Sequence, residues 1–224
     1  MSCLIGVTMR IIQNQTYYEV RDGISSDYIE FFNQYNITPI LIPNNLIDPV
    51  EYFKNLNCKA LILTGGEDIL ITKNNIESNN MFKNKRDETE YRLLDYCIKN
   101  DIPVLGICRG MQMINIYFGG QILDLNKRLE EAKHVNTMHR IKILDKMLCL
   151  NLKQLEVNSY HNNGVVIETL SSKLDYFAIT EENVIEGLYY KSYKTIGIQW
   201  HPERSKALCD DFIMKKWLSY VEEK

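Results

Sequence analysis

The chain has 224 residues, of which 45% are hydrophobic and 25% charged. That composition belongs to a globular domain with its own core, and it excludes a disordered chain, a collagen-like fibre and a coiled coil. Lys and Arg total 26 against 29 Asp and Glu, a net charge of −3, so the basic excess of a nucleic-acid binder is missing.

Short apolar runs separated by helical patterns fill the first half. The runs are Leu4 to Thr8, Ile37 to Ile42, Ala60 to Thr64 and Pro103 to Cys108. Between them, 26–35, 49–55 and 87–99 place apolar residues at helical spacing; in the last, Tyr91, Leu94 and Ile98 follow the i, i+3, i+7 rows. Continuous apolar strands alternating with helices predict βαβ units and a parallel sheet buried on both faces. After residue 120 the rhythm shifts to short strands at 139–144, 165–169, 176–180, 184–190 and 195–200, and an amphipathic helix over 205–221. Residues 67–86, rich in Asn and Lys, read as a long loop. One domain over 1–224 is expected. In such a sheet ligands bind at the carboxyl ends of the strands, which assigns the site to the loops 9–24, 65–86 and 108–112.

Six cysteines, at 3, 58, 97, 108, 149 and 209, show no CxxC spacing. They read as thiols of a reducing compartment rather than a disulfide framework. No signal peptide is expected from MSCLIGVTMR, and no stretch nears the ~20 apolar residues of a membrane span. A cytoplasmic protein without a membrane partner is therefore expected.

Three short motifs carry chemistry. Gly106-Ile107-Cys108-Arg109-Gly110 ends an apolar strand and opens a helical pattern, the form of a nucleophile elbow with Cys as nucleophile. His201-Pro202-Glu203 follows the strand TIGIQW, which would bring His201 to the same sheet edge, with Glu203 placed to orient the ring. Thr64-Gly65-Gly66 follows the third strand, and the Gly66 and Arg109 N–H groups could hold an oxyanion. Alone, each has a plainer reading: a buried cysteine beside a tight turn, a solvated His-Glu turn, a strand-to-loop Gly-Gly. Their order, each after a predicted parallel strand, favours the chemical one. His134 and His139 lack a further close ligand at a familiar spacing, which favours a structural or rim role.

ILTGGED (62–68), RDETE (86–90), PVLGICRGMQMINIYFGG (103–120), VNSYH (157–161), GIQWHPE (197–203) and the opening GVTMR (6–10) together resemble the class I glutamine amidotransferase-like proteins, in the γ-glutamyl hydrolase branch. The likeness spans nearly the whole chain. It implies an α/β, flavodoxin-like three-layer fold with a central mostly parallel sheet and a small antiparallel strand set. It implies Cys108 as nucleophile on a γ-glutamyl carbonyl, His201 as proton shuttle, Glu203 as its orienting acid, and Gly66 and Arg109 as oxyanion donors. Gln112, with Gly65, would bind the glutamyl group, and Asn158, Ser159 and Tyr160 would grip its α-amino and α-carboxylate ends. Asp87 and Glu90 match a family stretch, but on a helix they would serve only as ion pairs. The segment His161-Asn162-Asn163-Gly164 departs from the family's usual second His or Gln, which bears on the leaving-group side.

No metal or organic cofactor is implied, since Cys–His chemistry supplies nucleophile and proton transfer. The partner is a small-molecule γ-glutamyl conjugate. Arg10 and Arg21, with Lys73, Lys83, Lys85 and Arg86, are candidate leaving-group contacts, against the plainer reading of a solvated lysine-rich loop. The chain is similar as well to γ-glutamyl-CDP-amidate hydrolases of bacterial capsule phosphoramidate synthesis; γ-glutamyl-aminobutyrate hydrolysis is the alternative, and folylpoly-γ-glutamate hydrolysis fits less well. A glutaminase subunit that passes ammonia to a separate synthetase, a homodimer, and a non-catalytic binding module are the other readings; the intact triad argues against the last.

Overall fold

The computed structural model describes residues 3–70, 84–128, 135–144, 153–190, 194–204 and 211–222. In chain order the strands of the first half are β1 (Cys3–Thr8), β2 (Arg10–Gln13), β3 (Val20–Gly23), β4 (Ile37–Ile42), β5 (Ala60–Leu63) and β6 (Val104–Ile107). Its helices are α1 (Ser26–Gln34), α2 (Pro49–Asn55), α3 (Lys85–Lys99) and α4 (Arg109–Tyr117). The second half adds β7 (Leu123–Asp124), α5 (Leu125–Arg128), β8 (Val135–Ile143), β9 (Gln154–Tyr160), β10 (Asn163–Val166), β11 (Leu174–Ile179), β12 (Val184–Tyr190), β13 (Thr195–Ile198) and α6 (Asp211–Glu222).

Five parallel strands form the centre in the order β4-β1-β5-β6-β13. Numbered along the chain that is 2-1-3-4-5, the flavodoxin-like order. The expected antiparallel set is not separate: β12, β11, β8 and β9 continue the same sheet beyond β13. Side chains alternate across the central strands. Ile5, Val7 and Ile62 join one core with Tyr28, Phe31 and Phe32 of α1 and Met214 and Trp217 of α6. Leu61 and Leu63 join the other with Phe53 of α2, Leu93 and Leu94 of α3, and Met111 and Ile114 of α4. Both faces are covered, so the strands read as unbroken apolar runs rather than as an alternating pattern.

The helix starts have local causes. Ser25, Asp48 and Asn84 cap α1, α2 and α3 by accepting backbone N–H bonds, and Pro49 stands in the first turn of α2, where its missing N–H costs nothing. The N-cap position of α4 is Cys108, whose side chain makes no capping bond.

Several elements differ from expectation. The loop over 9–24 contains the β2–β3 hairpin. The predicted loop 67–86 ends earlier, because Asn84 caps a helix that takes in Lys85 and Arg86. The sequence reading places no strand at β9: QLEVNSY carries only two aliphatic residues, and its pairing with β8 supplies the rest. The run at 165–169 divides into the end of β10 and a 3₁₀ turn over Ile167–Thr169. Among the described residues no helix is long and apolar enough to cross a membrane.

Candidate active site

The three motifs meet at the carboxyl ends of β5, β6 and β13. Cys108 leaves β6 with φ 52° and ψ −102°, a left-handed backbone that a non-glycine residue holds only when its surroundings enforce it. The enforcement is visible. Its N–H donates to Ile198 O at 2.7 Å, tying the turn to β13. Next to it Gly110 lies so close to β5 that a Cβ there would stand 2.2 Å from Leu63 O. The α4 helix therefore starts against the sheet, and its free N–H groups open beside the sulfur, where negative charge is favoured.

His201 is buried beside Cys108. Its Nδ1 lies 2.5 Å from Glu203 Oε1, leaving the other ring nitrogen for the sulfur. Burial alone would lower the imidazole pKa; the Cys108 sulfur and the Glu203 carboxylate reverse that and raise it to about 9. Asn158 holds the turn from below. Its Oδ1 accepts the His201 N–H and its Nδ2 donates to His201 O, both at 2.8 Å. The same contacts commit the Asn158 amide to the His201 backbone rather than to a ligand, and Ser159 is fully buried. Tyr160 meets the His201 ring edge-on at 5.8 Å and carries the Arg204 guanidinium over its own ring, 4.6 Å from the centroid.

Gly65 packs against His201: a Cβ there would stand 2.7 Å from Cε1. Its N–H donates to Tyr28 Oη at 3.0 Å. Gly66, at φ 149°, and Arg109 line the same cleft as Cys108 and Gln112. Gln112 reaches across it, donating to Asn163 O at 2.8 Å.

A buried ion network sets the shape of the Gly65-Gly66 loop. Arg86, fully buried, donates to Thr64 O at 2.8 Å and Gly65 O at 3.0 Å, and pairs with Glu90 at 2.8 Å and Glu67 at 2.7 Å. The Arg109 guanidinium turns inward to Glu90 and Asp87. Asp87 and Glu90 are thus ion-pair partners, as their helical setting predicts. Arg86 is a correction: the expected leaving-group cation is a buried strut. Lys85 is exposed and pairs with Glu88. Arg21 is exposed and bonded to Glu19 and Tyr17 on the hairpin, so it does not share the recess that Arg10 lines with His201. Lys73, Lys83 and His134 lie outside the described residues.

Three groups escaped the sequence reading. Tyr28 looked like a core position of α1, and nothing in a helical pattern distinguishes a hydroxyl that will meet a glycine N–H. Gln199 was legible as a polar residue ending an apolar strand; its Nε2 lies 3.5 Å from Cys108 Sγ, in position to donate. Glu186 was legible as a lone acid in an apolar run. It is fully buried between His161 Nε2 at 3.4 Å and His139 Nε2 at 3.5 Å. Burial would raise its pKa, but the two imidazoles bring it down to about 2. His139 is thereby a structural partner, as its lone setting suggests. An ionisable thiol, an imidazole fixed by a carboxylate, and free N–H groups at a helix start can together support acyl transfer.

The peptidase C26 family matches residues 3–203. The γ-glutamyl-CDP-amidate hydrolase of Campylobacter jejuni is 33% identical over 222 residues, covering 98% of this chain and 99% of the relative. Anthranilate synthase component 2 of Cyanophora paradoxa is 29% identical over 188 residues, covering 81% and 86%. Among solved structures, the glutaminase domain of Trypanosoma brucei CTPS with bound acivicin superposes with a TM-score of 0.68 at 15% identity, covering 100% of this chain and 95% of that one. A glutamine amidotransferase from Thermotoga maritima gives 0.62 at 16%, covering 100% and 84%. At those identities the two structures speak for the fold alone.

Proposed function

The chain belongs to the peptidase C26 family of class I glutamine amidotransferase-like proteins, and from that premise we propose that it is a cysteine hydrolase cleaving a γ-glutamyl amide through a glutamyl thioester. One observation carries this reading: Cys108 is held in a strained elbow beside an imidazole whose far nitrogen is fixed by Glu203 at 2.5 Å.

The steps follow from the geometry. His201 takes the Cys108 proton, and the raised imidazole pKa favours the resulting thiolate–imidazolium pair. The sulfur attacks the γ-glutamyl carbonyl carbon. The oxygen becomes an oxyanion between the Gly66 and Arg109 N–H groups, where fixed donors stabilise it without reorganising. The C–N bond breaks as His201 returns the proton to the departing nitrogen. Water then gives His201 a proton and attacks the thioester; glutamate leaves and the thiol is restored. Gln112 and Tyr160 shape the glutamyl side, Gly65 packs against His201, and Asn158 acts on the site by bonding the His201 backbone.

The Campylobacter jejuni relative, matched end to end, supports γ-glutamyl-CDP-amidate as the substrate, whose hydrolysis would release glutamate and cytidine diphosphoramidate. The likeness to anthranilate synthase component 2 favours a second reading, a glutaminase subunit that delivers ammonia to a separate synthetase.

Glutamate release by the purified chain tests both. The panel is L-glutamine, γ-glutamyl-aminobutyrate, a folyl polyglutamate and γ-glutamyl-CDP-amidate, with Cys108→Ala as control. Turnover of one conjugate far above glutamine, abolished in the control, is the expected result. Feeble glutaminase activity alone would shift the assignment to the subunit, and equal activity in the control would end the cysteine mechanism.

A further inference from the structure

Hydrolysis divides a γ-glutamyl amide at one C–N bond, and the site is divided at the same place. On one side is a cleft of about 110 Å³ lined by Cys108, Arg109 and Gln112 together with Glu67 and Asp68. On the other is a recess lined by His201, Gly65, Tyr28, Arg10 and Arg204. Gly65 and Gly66 are adjacent in the chain but face opposite sides, so the glycine turn is the partition. The acyl carbon must reach the sulfur on the Cys108 side. The departing nitrogen must reach the imidazole that returns its proton, on the His201 side.

The two sides differ in charge. The Cys108 side is lined by two carboxylates, Glu67 paired with Arg86 and Asp68 accepting from Asn163 Nδ2, an acidic setting for the α-ammonium of a glutamyl group. Among the described residues, those lining the His201 side include two guanidiniums and no Asp or Glu; the nearby Glu203 carboxylate is buried and engaged by His201 Nδ1. Arg10 is exposed, and its side chain makes no ion pair or hydrogen bond with a described residue, whereas Arg21, Arg92 and Arg128 all have carboxylate partners. Arg204 is held over Tyr160, its Nε 3.7 Å from Glu203, with a third of its side chain exposed. The recess itself measures about 20 Å³, room for one water-sized group. The body of a leaving group therefore lies at its lip, where the two arginines are.

We propose that Arg10 and Arg204 form an anion subsite for the leaving group, and that the anion is a diphosphate carried on the departing nitrogen. The inference rests on the hydrolase reading above and assigns the residues that select its substrate. A guanidinium fork matches phosphoryl oxygens in pairs, and a protonated amine as leaving group would be repelled. Two such forks fit the several oxygens of a diphosphate better than a lone carboxylate.

The test compares kcat/KM for γ-glutamyl-CDP-amidate, γ-glutamyl-aminobutyrate and L-glutamine in the wild type, Arg10→Ala, Arg204→Ala and the double variant. Arg128→Ala, whose guanidinium pairs with Glu168 and lines neither side of the site, is the charge control. The ratio for γ-glutamyl-CDP-amidate over glutamine is expected to fall roughly tenfold in each single variant and further in the double, mainly through KM. Using the ratio cancels any general loss from disturbing Glu203 beside Arg204. Calorimetric titration with CDP reads the subsite without turnover: binding to the wild type, lost in the double variant and kept in Arg128→Ala, is expected. An unchanged ratio, or CDP binding that survives the double variant, overturns the subsite. A drop confined to γ-glutamyl-aminobutyrate overturns the diphosphate in favour of a carboxylate. CDP binding that needs both arginines in a chain that hydrolyses nothing would sink the hydrolase reading and leave the subsite standing.

Discussion

At the scale of single residues, two neighbours set the charge of His201. The imidazole is buried, which disfavours its charge, and only the sulfur and Glu203 make the cation favourable. Removing the sulfur removes the first of those compensations. Cys108→Ala should therefore lower the His201 pKa from about 9, read from imidazole proton shifts by NMR; an unmoved value would mean that Glu203 alone sets it. Gln199 touches the same reacting atom. Its Nε2 stands 3.5 Å from Sγ, so Gln199→Leu, which keeps the bulk and deletes the donor, should cost on the order of tenfold or more in kcat. KM for the γ-glutamyl substrate should move less, and an equal rise in KM with unchanged kcat would place Gln199 in binding instead.

At the scale of elements, the elbow depends on how tightly α4 can approach β5. Gly110 stands where any Cβ would meet the Leu63 carbonyl at 2.2 Å and the Leu63 Cβ at 2.7 Å. Both obstacles are part of a central strand and cannot swing aside. Gly110→Ala should thus destabilise by roughly 1–3 kcal/mol through overpacking, seen as a lower Tm, and should cut activity by tilting Cys108. An unchanged Tm would show that α4 can slide along the sheet. The ion network behind the elbow makes a different prediction. Glu90, fully buried, faces Arg86 and Arg109 and accepts from Thr8 Oγ1 at 2.8 Å. Glu90→Gln leaves two buried guanidiniums without that charge, a loss of about 3–5 kcal/mol for a broken buried pair. Chemical denaturation should register it, together with weaker oxyanion stabilisation, because Arg86 also fixes the Thr64 and Gly65 carbonyls.

At the scale of the whole molecule, stability should fall on both sides of a mildly acidic plateau for identifiable reasons. The Glu186 pKa is depressed in the folded chain to about 2, so its contribution is fully present above its ordinary value near 4.5 and disappears as pH falls toward 2. The His201 pKa is raised to about 9, so its contribution is fully present below about 6.5 and disappears as pH rises through 9. Tm plotted against pH should hold a plateau between about 4.5 and 6.5, where both contributions are fully present. Glu186→Gln should flatten the acid limb and also remove the His139 share of the alkaline limb, because, against the effect of burial, Glu186 holds the His139 imidazole above its ordinary range, whereas Cys108→Ala should reduce the His201 share of the alkaline limb and leave the acid limb in place. Acid limbs of equal steepness in wild type and Glu186→Gln would remove Glu186 from the account.

Much of this was legible in the chain. Unbroken apolar strands between amphipathic helices determine a doubly covered parallel sheet, because only burial on both faces removes the need for alternating polarity. Gly106-Ile107-Cys108-Arg109-Gly110, His201-Pro202-Glu203 and Gly65-Gly66 each follow a strand, so sequence alone put them at one sheet edge. The tertiary structure decided what each neighbouring charge does. Arg86 and Arg10 are equally plausible as cations beside a binding loop; long-range packing buries the first among carboxylates and leaves the second at the lip of the site. Asn158, read as a ligand contact, serves the His201 backbone because β9 passes beneath that turn. Glu186 of β12 became a partner of His139 on β8 and of His161 in the β9–β10 link only once the sheet had assembled. Periodicity records which face of an element is buried, whereas the partner of a polar side chain depends on residues tens of positions away, and only the folded chain brings those together.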